Sequence, residues 1–196
     1  MKNLLLATNN KHKIEEIKNL LSDTETKVLS LDDINLKVDI KEDGNTIEEN
    51  AIKKAEEIYK VSGIPVISDD TGLFVDVLNG TPGVHSSRYA GENATYDDNC
   101  RKLLEELKHI PENLRKAKFI TVVCYYENIN VYFLFEGICR GKIITEKKGS
   151  GGFGYDPLFI PDGSAKTYAE LSLYEKNLIS HRAMALNKFK QFYKNR

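Results

Sequence analysis

Four short segments hold the residues whose types and spacing could do chemistry. The first is Ser68-Asp69-Asp70-Thr71-Gly72-Leu73, with two adjacent carboxylates at the end of a β-prone run. Neighbouring side chains of an extended chain point to opposite faces, so one aspartate can face a site while the other makes structural contacts. Oxygen donors of this kind suit a hard cation such as Mg²⁺, which keeps several waters and takes further ligands from substrate phosphates. The plainer alternative is a turn with aspartate as a local cap. A further carboxylate is at hand in Lys41-Glu42-Asp43.

The second segment, Thr8-Asn9-Asn10-Lys11-His12-Lys13, lies between an apolar run and a helical pattern. Backbone N–H groups at a helix start attract anions, and lysines add charge. It reads either as a phosphate loop or as a polar connection with solvated lysines. No GxxxxGK[ST] pattern occurs, so it is not a Walker A loop. In the third, Ser150-Gly151-Gly152-Phe153-Gly154-Tyr155-Asp156-Pro157, glycines let the backbone approach a flat ligand. Phe153 and Tyr155 offer stacking faces for a base, and Asp156 offers an acceptor. The fourth is Lys176 with Ser180-His181-Arg182. On one continuous helix, 176 and 180 share a face while 181 and 182 point elsewhere. A helix that starts near Ser180 would instead aim its first residues into a site; the alternative is a solvated helix face.

The elements that must position these segments follow from periodicity. Asn3 to Thr8 reads as a buried strand, and Lys11 to Leu21, with Ile14, Ile17 and Leu21, as an amphipathic helix. Val28 to Ile40 holds short β-prone pieces. Thr46 and Glu49 form a capping-box pattern that opens a helix with an apolar face of Ile47, Ala51, Ala55, Ile58 and Tyr59, closed by Gly63 and Pro65. Val66 to Ser68 reads as a strand, Leu73 to Leu78 as a second one, and Asn79 to Gly83 as a turn. A helix is predicted over Ala94 to Leu107, a long hairpin over Phe119 to Tyr126 and Val131 to Ile138, and a final helix through Ile179, Ala183, Leu186 and Tyr193. Strands and helices alternate and a meander follows, so the class is α/β with a mixed sheet.

At 196 residues the chain suits one α/β domain or two small lobes sharing a core. With 28 basic and 29 acidic residues the net charge is −1, which argues against a nucleic-acid coat protein but allows a small anionic ligand. Cys100, Cys124 and Cys139 are odd in number, widely spaced and without a CxxC pair, so a disulfide framework is not expected and a reducing, cytoplasmic compartment is. The apolar run from Leu4 to Ala7 is too short for a signal-peptide core, and no 18-residue apolar stretch occurs, so no membrane segment is expected.

In combination and order, LATNNKHKIEEI, GNTIEENAIKKA, SDDTGLFVDVLNGTPGVHSSRYAG, GGFGYDPLF and SHRAMAL make the chain resemble the inosine triphosphate pyrophosphatase family, the XTP/dITP diphosphatases, from residue 4 to about 190. The resemblance implies an elongated two-lobed α/β fold, residues 1–196 as a single domain, built around a long twisted mixed β-sheet with flanking helices. It places the active site in the cleft between the lobes. It also implies a homodimer and Mg²⁺-dependent hydrolysis of ITP, dITP and XTP between the α- and β-phosphates, with no nucleic-acid or membrane partner. Thr8, Asn10 and Lys13 match the family's phosphate loop, with Asn9, Lys11 and His12 as backbone contacts; Lys54 should meet the triphosphate. Asp70 looks like the catalytic carboxylate, with Asp69 kept open as the base, and Glu42 with Asp70 like metal ligands. Thr71 stands where the family has Ser or Thr. Phe153, Gly154, Tyr155 and Asp156 match the base-binding loop, and Lys176, His181 and Arg182 the C-terminal recognition set.

Two departures stand out. Ser87 replaces a common alanine, and Asn9 replaces a frequent glycine, a swap that asparagine tolerates if φ is positive there. The rival readings are a Maf-like pyrophosphatase acting on dTTP or UTP, and a nucleotide-binding sensor or RNA-associated module that binds without turnover.

Overall fold

Leu4, Leu5 and Leu6 are each at most 1% exposed, as a strand covered on both faces requires. They belong to β1 (Lys2–Leu6), which runs parallel to β2 (Thr26–Leu29) and to β3 (Val66–Val75). The computed structural model describes residues 2–38 and 40–195. Further along, β4 (Pro82–Gly83), β5 (Lys116–Asn128), β6 (Val131–Ile143) and β7 (Phe159–Pro161) complete a sheet of order β2-β1-β3-β5-β6-β7, with β4 against β3. The pairs β3–β4 and β6–β7 are antiparallel, so the sheet is mixed. The helices are α1 (Lys11–Leu20), α2 (Ile47–Ser62), α3 (Tyr96–Glu106), α4 (Leu173–Ile179) and α5 (His181–Lys194). A mixed sheet with flanking helices is the fold class expected from the resemblance.

The chain divides into two compact units, one of residues 1–70, 121–137 and 182–196, the other of 71–120 and 138–181. The core of the first gathers Leu4, Leu6, Ile17, Ile67, Val123 and Phe189. That of the second gathers Leu73, Leu103, Phe119, Ile143, Phe159 and Tyr168.

Local sequence explains the helix ends. Asn10 caps α1 by accepting from the backbone N–H groups of His12 and Lys13. Thr46 caps α2 through Glu49 N, and Gly63 closes it at φ 64°. Glu49 does not reach back to Thr46 as the capping box predicts; its carboxylate accepts from Asn45 N at 2.7 Å, one residue earlier.

Three other expectations shift. Asp69 to Gly72 is not a break, because β3 runs unbroken from Val66 to Val75 and a 3₁₀ turn occupies Asp76–Leu78. Gly72 serves close approach: a Cβ there would meet Gly83 O of β4 at 2.6 Å. The hairpin strands are longer than predicted, ending at Ile143. The final helix is two, since Ser180 is extended (φ −77°, ψ 152°) between α4 and α5. No glycine or proline marks that break, but of the two readings of Lys176 to Arg182 the helix start near Ser180 is the one found.

Candidate active site

In the first unit, β3 carries Asp69 and Asp70 on opposite faces, as alternation demands. The Asp69 carboxylate receives Lys13 Nζ and Arg182 Nε, both at 3.1 Å. Arg182 also pairs with Glu16 at 2.5 Å, so alternating charges run Glu16–Arg182–Asp69–Lys13. Burial works to raise the Asp69 pKa, but the Lys13, Arg182 and Lys54 charges outweigh it and hold the carboxyl well below its usual range.

Asp70 faces another set. Its Oδ1 lies 3.2 Å from Lys54 Nζ, and its Oδ2 accepts from Asn50 Nδ2 at 3.2 Å. Lys54 Nζ donates as well to Glu42 Oε1 and to the Asp69 carbonyl, each at 2.8 Å. All three ammonium protons are thus engaged. Burial raises the Asp70 pKa above its ordinary value against the pull of Lys54 and Lys13, and the Glu42 carboxylate adds to the rise. Burial opposes the Lys54 charge, yet Asp70, Glu42 and Asp69 raise its pKa.

The loop before α2 is fastened to that helix residue by residue. Lys54 takes Glu42, Lys53 takes Asp43 at 2.6 Å, Asn50 Oδ1 accepts from Gly44 N at 2.8 Å, and Glu49 accepts from Asn45 N. Glu42 and Asp70 therefore converge on one ammonium. Their donors are all oxygen, which suits Mg²⁺ held by two carboxylates with phosphate and water as remaining ligands. Among the described residues no group of three or more His, Cys, Asp and Glu is disposed to hold a metal by itself. The donor chemistry fits a metal that shares its shell with a phosphorylated ligand.

At the start of α1, Thr8 Oγ1 accepts from Asn10 N at 3.2 Å. Asn9, Lys11 and His12 are exposed, and Lys13 is half-buried against Asp69. The His12 and Lys13 N–H groups are turned to Asn10 rather than outward. Asn9 is not among the described non-glycine residues with positive φ, which are Asn35, Asn79 and Asn130, so its replacement of glycine needs no left-handed backbone.

In the second unit, Asp156 is the hub of the glycine-rich loop. Its Oδ2 accepts from Phe153 N and from Lys176 Nζ, both at 2.8 Å, and Lys176 lies 4.9 Å from the Phe153 ring centroid. Gly152 has φ 69°, and a Cβ there would stand 2.1 Å from Asp156 Oδ2, so only glycine lets the loop close over that carboxylate. Phe153 and Gly154 are half-exposed. Tyr155 is buried and donates to Ser86 O at 2.9 Å, so its ring belongs to the core and not to a stacking face. His181 is buried too, stacked on Phe119 at 4.6 Å between centroids and 16° between planes. Thr71 follows Asp70 on β3 and is half-exposed.

The structure thus brings Lys13 and Arg182 together on Asp69, and Glu42 and Asp70 together on Lys54, the two ionic sets joined where Lys54 donates to the Asp69 carbonyl; Phe153, Asp156 and Lys176 form another cluster. Sequence reasoning missed Glu16 and Asn50. Both had a signal in helical spacing: Glu16 is three residues from Lys13 on α1, and Asn50 four from Lys54 on α2.

The α/β chain with its mixed sheet has known counterparts. The Ham1 family model matches residues 4–192. A dITP/XTP pyrophosphatase of Thermoanaerobacter pseudethanolicus is 52% identical over 190 residues, covering 96% of this chain and 95% of that protein. One of Clostridium perfringens is 46% identical, covering 97% and 96%. The solved structure of a HAM1 protein from Coxiella burnetii superposes with a TM-score of 0.91 at 40% identity, covering 100% of both chains. The Ham1 protein of Staphylococcus aureus gives 0.87 at 39%, covering 99% of both. The chain belongs to the Ham1 family.

Proposed function

We propose that this protein hydrolyses the non-standard purine nucleoside triphosphates dITP, ITP and XTP to the nucleoside monophosphate and pyrophosphate, in a Mg²⁺-dependent reaction that clears them from the nucleotide pool. The observation that carries the reading is the opposed pair on β3. Asp69 is locked ionised between Lys13 and Arg182, while Asp70 is left more basic beside Lys54 and Glu42. The pairing of Asp69 with two cations favours Asp70 as the general base. The relatives named dITP/XTP pyrophosphatase, similar over nearly the whole chain, support the substrate class.

Asp70 takes a proton from the attacking water as the new oxygen–phosphorus bond forms at the α-phosphorus. The bond from that phosphorus to the α–β bridging oxygen breaks, and pyrophosphate leaves with the oxygen. Lys13 and Lys54 present charge to the triphosphate, and the Thr8–Lys13 loop supplies further polar contacts. Mg²⁺ held by Glu42 and Asp70 would supply Lewis-acid neutralisation of phosphate charge. Arg182 is tied to Asp69 and Glu16, so its part is to hold Asp69 in place. Base recognition rests on the Phe153 ring, Gly154, Asp156, Lys176 and His181. A polar match to the 6-carbonyl discriminates against a 6-amino group by roughly 10⁴-fold, because the mismatch leaves buried groups unpaired.

The chain acts as one domain, as a homodimer, in the cytoplasm. Three buried free cysteines suit a reducing compartment. Among the described residues no helix is long and apolar enough to cross a membrane. The test is pyrophosphate release from dITP, XTP, dGTP, dATP and dTTP with and without Mg²⁺. Release from dITP and XTP that requires Mg²⁺ supports the reading; preference for dTTP, or no release, overturns it. Light scattering on the eluted protein reads the dimer.

A further inference from the structure

We infer that Asn50 is a positioning residue for the reaction, setting the orientation of the Asp70 carboxylate and the placement of Glu42 through the two ends of one amide. The inference rests on the proposed pyrophosphatase reading.

Asn50 is 1% exposed on α2. Its Nδ2 donates to Asp70 Oδ2 at 3.2 Å while its Oδ1 accepts from Gly44 N at 2.8 Å. The assignment of the amide is forced, because a carboxylate can only accept and a backbone N–H can only donate; turning the group over would mismatch both ends. The first bond leaves Asp70 with Oδ1 on Lys54 and Oδ2 on Asn50, so the carboxylate plane is fixed from both sides. The second bond holds the chain two residues after Glu42, whose Oε1 shares the same ammonium.

Gly44 belongs to the same device. A Cβ on it would stand 2.7 Å from Asn50 Oδ1 and 3.1 Å from Asn50 N, so the loop comes this close to the amide only because Gly44 lacks a side chain. No other side chain of similar volume performs both tasks. Aspartate loses the donor and sets a like charge against Asp70, leucine loses both bonds, and glutamine places its amide one methylene too far.

The experiment is steady-state kinetics on dITP for the wild type, Asn50→Leu and Gly44→Ala, with far-ultraviolet circular dichroism and thermal melts of each. The split between kcat and KM is the deciding readout, since phosphate and base contacts lie on other residues. In folded Asn50→Leu, kcat is expected to fall about 100-fold, the scale of a reacting group misplaced by an ångström, with KM within about threefold. Gly44→Ala disturbs the amide from outside and keeps Asn50 itself. It is expected to lower kcat at least about fivefold in the same pattern, and it decides the matter if Asn50→Leu fails to fold. Values of kcat within about twofold of wild type in a folded variant, or a loss seen in KM alone, overturn the role. A wild-type protein that releases no pyrophosphate from any triphosphate overturns the reaction and this role with it, a result distinct from an active wild type with indifferent variants.

Discussion

Lys54 Nζ meets the Asp69 carbonyl oxygen at 2.8 Å and the Asp70 carboxylate at 3.2 Å, so a single ammonium reads the backbone of one aspartate and the side chain of the next. A third proton goes to Glu42. Arginine cannot reproduce three divergent donations from a planar fork. Lys54→Arg is therefore expected to fold but to lower kcat for dITP at least about tenfold, checked by pyrophosphate release beside a thermal melt.

Asp70→Asn removes the proposed base while keeping its shape. Turnover is expected to fall by about 10²–10⁴-fold, the usual worth of general base catalysis, with the fold intact by circular dichroism. Activity like that of the wild type would take Asp70 out of the mechanism.

Asp69 is expected to matter for stability as well as for activity. In the folded protein its pKa lies below the ordinary 3.8, so its contribution is fully present above that value and is lost as pH falls toward the folded one. Asp69→Asn takes the buried carboxylate from Lys13 and leaves Arg182 with Glu16. Breaking such a buried pair costs about 3–5 kcal/mol, readable in urea melts near neutral pH. The variant should also lose less stability than the wild type as pH drops below about 4, the range where an unperturbed aspartate takes up its proton.

Gly152→Ala places a Cβ 2.1 Å from Asp156 Oδ2 at a backbone φ of 69°. Asp156 must then move, and with it the Lys176 ammonium and the Phe153 ring. The expected result is a KM for dITP raised at least about tenfold with a smaller change in kcat, because the disturbed group is the proposed base-binding cluster and not the proposed reacting centre.

The cysteines should be silent in the native protein. Burial pushes the Cys100 thiol up to about 11 and the Cys124 thiol up to about 12, and raises Cys139 as well. An aromatic disulfide reagent at pH 8 is expected to find almost no thiolate until denaturant is added, after which all three react.

Much of this was legible in the residues. The apolar run at Leu4–Leu6, the cap at Thr46 and the stop at Gly63 each act locally, so they marked their elements without knowledge of the rest. The opposed faces of Asp69 and Asp70 also followed from strand alternation. What escaped depended on distant partners. Gly72 looks like a turn residue until Gly83 arrives against it, and Tyr155 looks like a stacking face until Ser86 accepts its hydroxyl. The ion pair of Arg182 with Glu16 joins residues 166 positions apart, a separation that no local pattern reports.

The fastening of residues 42–45 to α2 limits how this loop can change in length. Its four rungs pair 42 with 54, 43 with 53, 44 with 50 and 45 with 49, in descending order along the helix. A residue inserted or deleted between Asn45 and α2 would slide all four rungs out of register together, as a skipped tooth jams a zipper. The loop should therefore accept changes of side chain at exposed Asn45, whose rung is made by its backbone N–H, while refusing changes of length, and drift in this segment is confined to spelling rather than spacing.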